Sequence, residues 1–269
     1  MDMQQRHPLS DAMRARVLAE LDRVERERNV KVLYACESGS RAWGFASTDS
    51  DYDVRFVYVE KPDWFVQVDA GRDVIERPLD DELDVSGWEL RKTLGLLRKS
   101  NPTLLEWLDS PLVYRQEDQA TARLRELAEH FYSPPAARNH YLSMARKNFR
   151  GYLQDETVRL KKYFYVLRPL LAVLWIDQDR GRPPMTFADL LQTVDDSALL
   201  AEVDELLVLK RSADESAYGP RRPALHAFIE TQLERPVPSL PRTQADSRLL
   251  DAYLREMVGS HARSPGRAQ

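Results

Sequence analysis

Every strand signal in this 269-residue chain falls between residues 30 and 86. Short apolar or alternating runs at Val30–Cys36, Asp53–Glu60, 63–69, 73–77 and Leu83–Ser86 read as strands, and Asp53–Glu60 (DVRFVYVE) alternates most strongly. Elsewhere the period is helical. Residues 10–28 carry Met13, Val17, Leu21 and Val24 at helical spacing, and Trp88–Lys99 carries Leu90, Leu94 and Leu97 on one face before Asn101-Pro102 breaks it. Beyond residue 110 no strand is expected. Helices are expected near 119–131, 135–153, 157–177, 186–193, 198–211, 222–234 and 244–258, with a kink at Pro169 and a frayed tail after about Ser260. A chain divided in this way can build one small sheet. The expected class is α+β, a small mixed-sheet domain over 1–112 followed by a helical C-terminal domain over 113–269.

Composition narrows what such a fold can do. One cysteine, Cys36, excludes an intrachain disulfide and a four-cysteine zinc site, and the five histidines show no ligand spacing. The segment MDMQQRHPLSDAM has no apolar core, and the longest apolar run, Leu170 to Ile176, is far too short to span a membrane. A cytoplasmic protein without a membrane partner is expected. The net charge of −4 excludes a uniformly basic coat. It conceals a division: residues 1–110 sum to −6 and residues 111–269 to +2.

The stretch Glu37–Val59 (ESGSRAWGFASTDSDYDVRFVYV) concentrates residues suited to phosphate chemistry. Gly39 follows an expected strand and lets a ligand approach the backbone, while the Ser40 hydroxyl and nearby N–H groups suit phosphate oxygens. Arg41 is a further phosphate candidate. Asp51 and Asp53 head a strand, and its period of two sets both carboxylates on one face. Two such carboxylates repel unless a cation lies between them, and oxygen-only ligands suit Mg²⁺. Asp84 stands between Leu83 and Val85, where a charge is costly unless paired or liganded, which makes it the candidate third ligand. Asp49 reads as a turn residue, Glu37 as an acid without a role, and Cys36 as a small buried hydrophobe. Trp43 and Phe45 read as anchors, and Trp88, Trp107 and Trp175 as core residues.

The order Gly39-Ser40, Asp51-x-Asp53 and a later strand Asp84 resembles the polymerase-β-like nucleotidyltransferase superfamily. The fuller wording, with LDVSGWELRKTLGLLRKSNPTLLEWLDSP and RLKKYFYVLRPLLAVLWI, is similar to the RNA-repair-pathway DNA polymerase beta family, and the likeness covers roughly residues 30–180. The resemblance implies an EC 2.7.7-type transferase that moves a nucleoside monophosphate from an NTP to an acceptor hydroxyl, with an RNA or tRNA end as acceptor. It implies a two-ion Mg²⁺ or Mn²⁺ site held by Asp51, Asp53 and Asp84, with residues 1–112 as the catalytic domain. The same chemistry on a small molecule or a protein side chain, and a non-catalytic, antitoxin-like nucleotide-binding partner, are the rival readings. Neither the NTP nor the oligomeric state is legible.

A second feature lies in 136–169, which holds eight basic residues against Asp155 and Glu156, with aromatics interleaved. Leu160, Phe164, Leu167, Leu171 and Leu174 make a core stripe, and Lys161, Tyr165 and Arg168 fall on another face. With Lys147 and Lys162 they are the candidate nucleotide-binding residues of the second half, expected to cover the triphosphate across a cleft or to meet a nucleic-acid backbone.

Overall fold

The computed structural model describes residues 9–47, 50–77, 82–212, 217–241 and 245–263. In chain order the elements are α1 (Asp11–Arg28), β1 (Lys31–Glu37), α2 (Gly39–Ala42), β2 (Tyr52–Val59), α3 (Pro62–Phe65), β3 (Val74–Glu76), β4 (Leu83–Glu89), α4 (Leu90–Leu97), α5 (Pro102–Leu108) and β5 (Val113–Gln116). There follow α6 (Asp118–Phe131), α7 (Pro134–Tyr152), β6 (Thr157–Arg159), α8 (Lys162–Asp177), α9 (Phe187–Leu191), α10 (Ser197–Ser212), β7 (Tyr218–Pro220), α11 (Pro223–Leu233) and α12 (Arg248–Arg263). The class is α+β, as expected.

The chain forms two interleaved compact units. A sheet unit gathers Pro8–Gly39, Asp51–Tyr132 and Gln244–Gln269, and a helical unit gathers Ser40–Ser50 and Ser133–Thr243. This division runs along a different line from a single cut at 112/113, because β5, α6 and α12 belong to the sheet unit.

The sheet has the order β3-β4-β2-β1-β5 and is mixed. β1 is antiparallel to both β2 and β5, β3 is antiparallel to β4, and β2 and β4 run parallel. Its two faces are covered differently. Met13, Val17, Leu21 and Val24 of α1 pack on Val54, Phe56 and Tyr58 of β2 and Leu83 and Val85 of β4. On the other face Val57 and Val59 meet Leu90, Leu94 and Leu97 of α4, together with side chains of α5, α6 and α12. The strand period of two thus sends alternate β2 side chains to two separate cores.

Several expectations are corrected here. Residues 63–69 are not a strand. Pro62 sits at the first helical position and fixes φ for a turn of helix. Trp64 and Phe65 then lie under the Arg91 guanidinium, and Val66 and Val68 stay exposed. The second half does hold strands. β5 is a four-residue edge bearing Arg115 and Gln116, and β6 and β7 are three-residue strands paired with each other, too short for alternation to register. The chain past Ser260 remains helical through Arg263, where His261 is buried and its Nε2 lies 3.3 Å from the Asn29 carbonyl oxygen.

In the helical unit α7 and α8 are joined by a bidentate ion pair, Arg138 Nε to Asp177 Oδ1 at 2.6 Å and Nη2 to Oδ2 at 3.0 Å. Helix α8 begins at Lys162, since Thr157–Arg159 is extended, and it continues through Pro169. Proline supplies no N–H to the carbonyl four residues back, which is that of Tyr165. The Asn148 side-chain amide of α7 donates to that oxygen at 3.1 Å, replacing the missing bond.

Candidate functional site

The head of β2 is held by a buried carboxylate. Glu37, at the end of the apolar run of β1, is fully buried and accepts the Asp53 backbone N–H at 2.8 Å on one oxygen and the Tyr114 hydroxyl on the other. The Ser38 N–H donates to the Asp53 carbonyl at 2.8 Å. Asp53 is therefore clamped at both backbone polar groups. Glu37 emerges as the support of the site, a role that the sequence reading did not give it. A lone acid closing the apolar run VLYAC is the signal that could have revealed it, because such a charge needs partners.

Parallel pairing of β2 with β4 sets Asp53 opposite Asp84. Arg55 lies on the same face as Asp53, and its Nη2 donates to Asp53 Oδ1 and to Asp84 Oδ2, both at 2.7 Å. The side chains of Asp53, Asp84 and Arg55 are 29%, 34% and 18% exposed, so the cluster is neither buried nor fully hydrated. Arg55 was not singled out from sequence, although it stands two residues beyond Asp53 and shares its face. Gly39 has a φ of +59°, and a Cβ there would overlap the Asp53 carboxylate. The site therefore requires glycine for both its backbone conformation and the space beside Asp53.

Asp51 is exposed, immediately ahead of β2. Among the described residues no group of three or more His, Cys, Asp or Glu side chains is gathered as a metal centre. Of Asp51, Asp53 and Asp84, the structure brings Asp53 and Asp84 to a shared partner. Cys36 is fully buried, and burial pushes its thiol far up, so it stays protonated, in keeping with the reading as a small hydrophobe.

The chain passes from the sheet unit to the helical unit between Gly39 and Ser40 and returns between Ser50 and Asp51. Ser40 and Arg41 lie in the one-turn helix α2, and the Arg41 Nη2 donates to the Ser50 carbonyl at 2.6 Å. Asp49 lies outside the described residues. Phe45 stacks on Phe164 at 4.9 Å and meets Phe187 edge-on at 5.5 Å, an anchor as expected.

The remaining candidates belong to the helical unit. Lys147 is exposed, and Lys161, Lys162 and Tyr165 are half-buried. The Lys162 ammonium lies over the rings of Tyr152 and Tyr165, at 3.9 and 4.9 Å. Arg168 does not share an open face with them. It is buried, donates through Nε and Nη2 to the Met185 carbonyl at 3.3 and 3.0 Å, and lies over Trp43 at 4.6 Å. α8 is buried nearly all round from Val166 to Leu174, which leaves no room for the second face that periodicity suggested.

Residues 13–256 match the RNA repair pathway DNA polymerase beta family, RlaP. The chain belongs to that family. It is 47% identical over 247 residues to the uncharacterized protein YcgL of Bacillus subtilis (strain 168), covering 91% of this chain and 95% of that one. A crystal structure of a nucleotidyltransferase-like protein from Exiguobacterium sibiricum 255-15 aligns over 95% of this chain and 81% of its own with a TM-score of 0.31 and 12% identity. The family is a polymerase-β-like nucleotidyltransferase family. Among the described residues no helix is long and apolar enough to cross a membrane.

The donor chemistry at the head of β2 fits a divalent cation of the kind such families use. Asp53 and Asp84 present hard carboxylate oxygens side by side, they already share one positive partner, and the missing Gly39 Cβ leaves space against Asp53.

Proposed function

We propose that this protein transfers a nucleoside monophosphate from an NTP to an acceptor hydroxyl and releases pyrophosphate, with an RNA or tRNA end as the acceptor. The observation that carries the reading is the register pairing of Asp53 with Asp84 beside Gly39. It places two carboxylates together where backbone can approach a ligand closely. Asp53 and Asp84, with Asp51 at the strand head, are the residues to hold Mg²⁺ or Mn²⁺ in a two-ion site. Bound there, the metal supplies charge neutralisation for the triphosphate and acidifies the acceptor hydroxyl.

The protein's own contribution is positioning. The acceptor oxygen forms a bond to the α-phosphorus as the bond to the bridging oxygen of pyrophosphate breaks, and Asp84 takes the hydroxyl proton. Glu37 keeps Asp53 in place through the backbone. Gly39, Ser40 and Arg41 are assigned to the phosphates, and Lys147, Lys161, Lys162 and Tyr165 to phosphate or RNA backbone. Arg168, bonded to Met185, serves that face by bracing α8. Binding through this basic face weakens steeply with salt. The lone, buried Cys36 suits a reducing cytoplasm.

The test offers α-labelled NTPs and Mg²⁺ with RNA, protein or small-molecule acceptors. Label on RNA ends, lost in Asp53→Asn and Asp84→Asn, is expected. Label on protein or on a small molecule corrects the acceptor. NTP binding without pyrophosphate release from any mixture overturns the enzyme reading in favour of a nucleotide-binding partner protein.

A further inference from the structure

The geometry points to Arg55 as an internal cation that holds Asp53 and Asp84 together and must leave before a metal ion can join them. This rests on the proposal that the two carboxylates take the metal. Neighbouring carboxylates in a half-buried place repel, and an isolated pair would splay apart. The guanidinium prevents this. Nη2 bonds one oxygen of each carboxylate, and Nη1 is fixed by the carbonyls of Val54 at 3.1 Å and Asp84 at 3.2 Å. These four bonds use a planar fork that a lysine ammonium does not have. They draw on two adjacent parallel strands, so the arrangement follows from register and does not depend on a loop.

The consequence is competition. The bonded oxygens, Asp53 Oδ1 and Asp84 Oδ2, are the ones turned toward a common partner, and a positive group at 2.7 Å from both repels a divalent ion. The metal-competent form, with Arg55 turned away, is a minor state. Affinity for free metal is lowered by the fraction in which it is populated. Arg55 is thus a positioning residue that keeps the site formed yet poorly receptive to a bare cation.

Titration of the full-length protein with Mn²⁺ alone, followed by the electron paramagnetic signal of the free ion, tests this. Arg55→Gln, which removes the charge and keeps a polar side chain, is expected to bind Mn²⁺ about tenfold more tightly than wild type. Arg55→Lys, which keeps the charge but not the fork, is expected to fall between wild type and Arg55→Gln, and the double variant Asp53→Asn/Asp84→Asn to lose the binding. Equal or weaker affinity in Arg55→Gln overturns the competition while leaving the metal site standing. Failure of every form to bind Mn²⁺ overturns both. Should Arg55→Gln not fold, wild type decides the matter. The guanidinium NMR signal missing from Arg55→Lys is expected to shift as Mg²⁺ is added, and a signal unmoved at saturating Mg²⁺ overturns the inference.

Discussion

The parallel pair β2–β4 places an acidic residue at each of its ends, and the two ends treat acid in opposite ways. At the head, Asp53 and Asp84 are partly exposed, share Arg55 and face a glycine. At the tail, Tyr58 is in register with Glu89, on the face covered by α1, and both are fully buried. Glu89 Oε2 accepts the Arg91 N–H at 2.6 Å, capping α4, while Glu89 Oε1 and the Tyr58 hydroxyl have no hydrogen-bond partner among the described residues. Desolvation pushes the Glu89 carboxyl up to about 7 and the Tyr58 phenol well above its ordinary range. One end pairs its acids with a cation and the other buries its acid without one. The proposed cation chemistry is therefore assigned to the head, and the tail acid serves as a helix cap.

That contrast can be broken or sharpened by substitution. Asp53→Asn and Asp84→Asn should each lower NMP transfer by about 10³-fold or more, while thermal melting shows the fold retained. Gly39→Ala should cost about 10–100-fold in kcat/KM through displacement of Asp53, with roughly 1–2 kcal/mol of stability lost to the positive φ. Glu37→Gln should destabilise by about 1–3 kcal/mol in denaturant unfolding, because it weakens two buried bonds to a charged acceptor.

Glu89→Gln should have the smallest effect and leave transfer unchanged. Its signature lies in pH. The folded chain binds this proton more tightly than the unfolded chain, whose carboxyl keeps the ordinary value of 4.5. The contribution of Glu89 to stability therefore falls as pH rises from about 4.5 through about 7. The variant carries no such loss, so its melting temperature relative to wild type should rise by roughly 5–10 °C between pH 5 and pH 8. A difference that stays flat with pH would show that Glu89 is ionised when folded.

Much of the head was legible in the residues. Strand alternation sets Asp53 on a face, and a charge between Leu83 and Val85 marks Asp84. The pairing of those two positions was not legible, because parallel register is set by the packing of α1 and α4 on the two sheet faces and not by either strand alone. Arg55 escaped notice for the same reason, since its role exists only once β4 lies alongside. Glu37 was discounted because its partners, Asp53 and Tyr114, are distant in sequence. Arg168 shows the converse. Helical spacing grouped it with Lys161 and Tyr165, but α8 is enclosed at that level and its guanidinium meets the Met185 carbonyl.

The most direct test of the head as the chemical centre is anomalous diffraction from crystals of the full chain grown with Mn²⁺ and a non-hydrolysable NTP analogue. The account predicts a manganese peak between the Asp53 and Asp84 carboxylates, with the Arg55 guanidinium moved off them. A nucleotide-bound structure in which Arg55 still bridges the two aspartates and manganese lies elsewhere would contradict it.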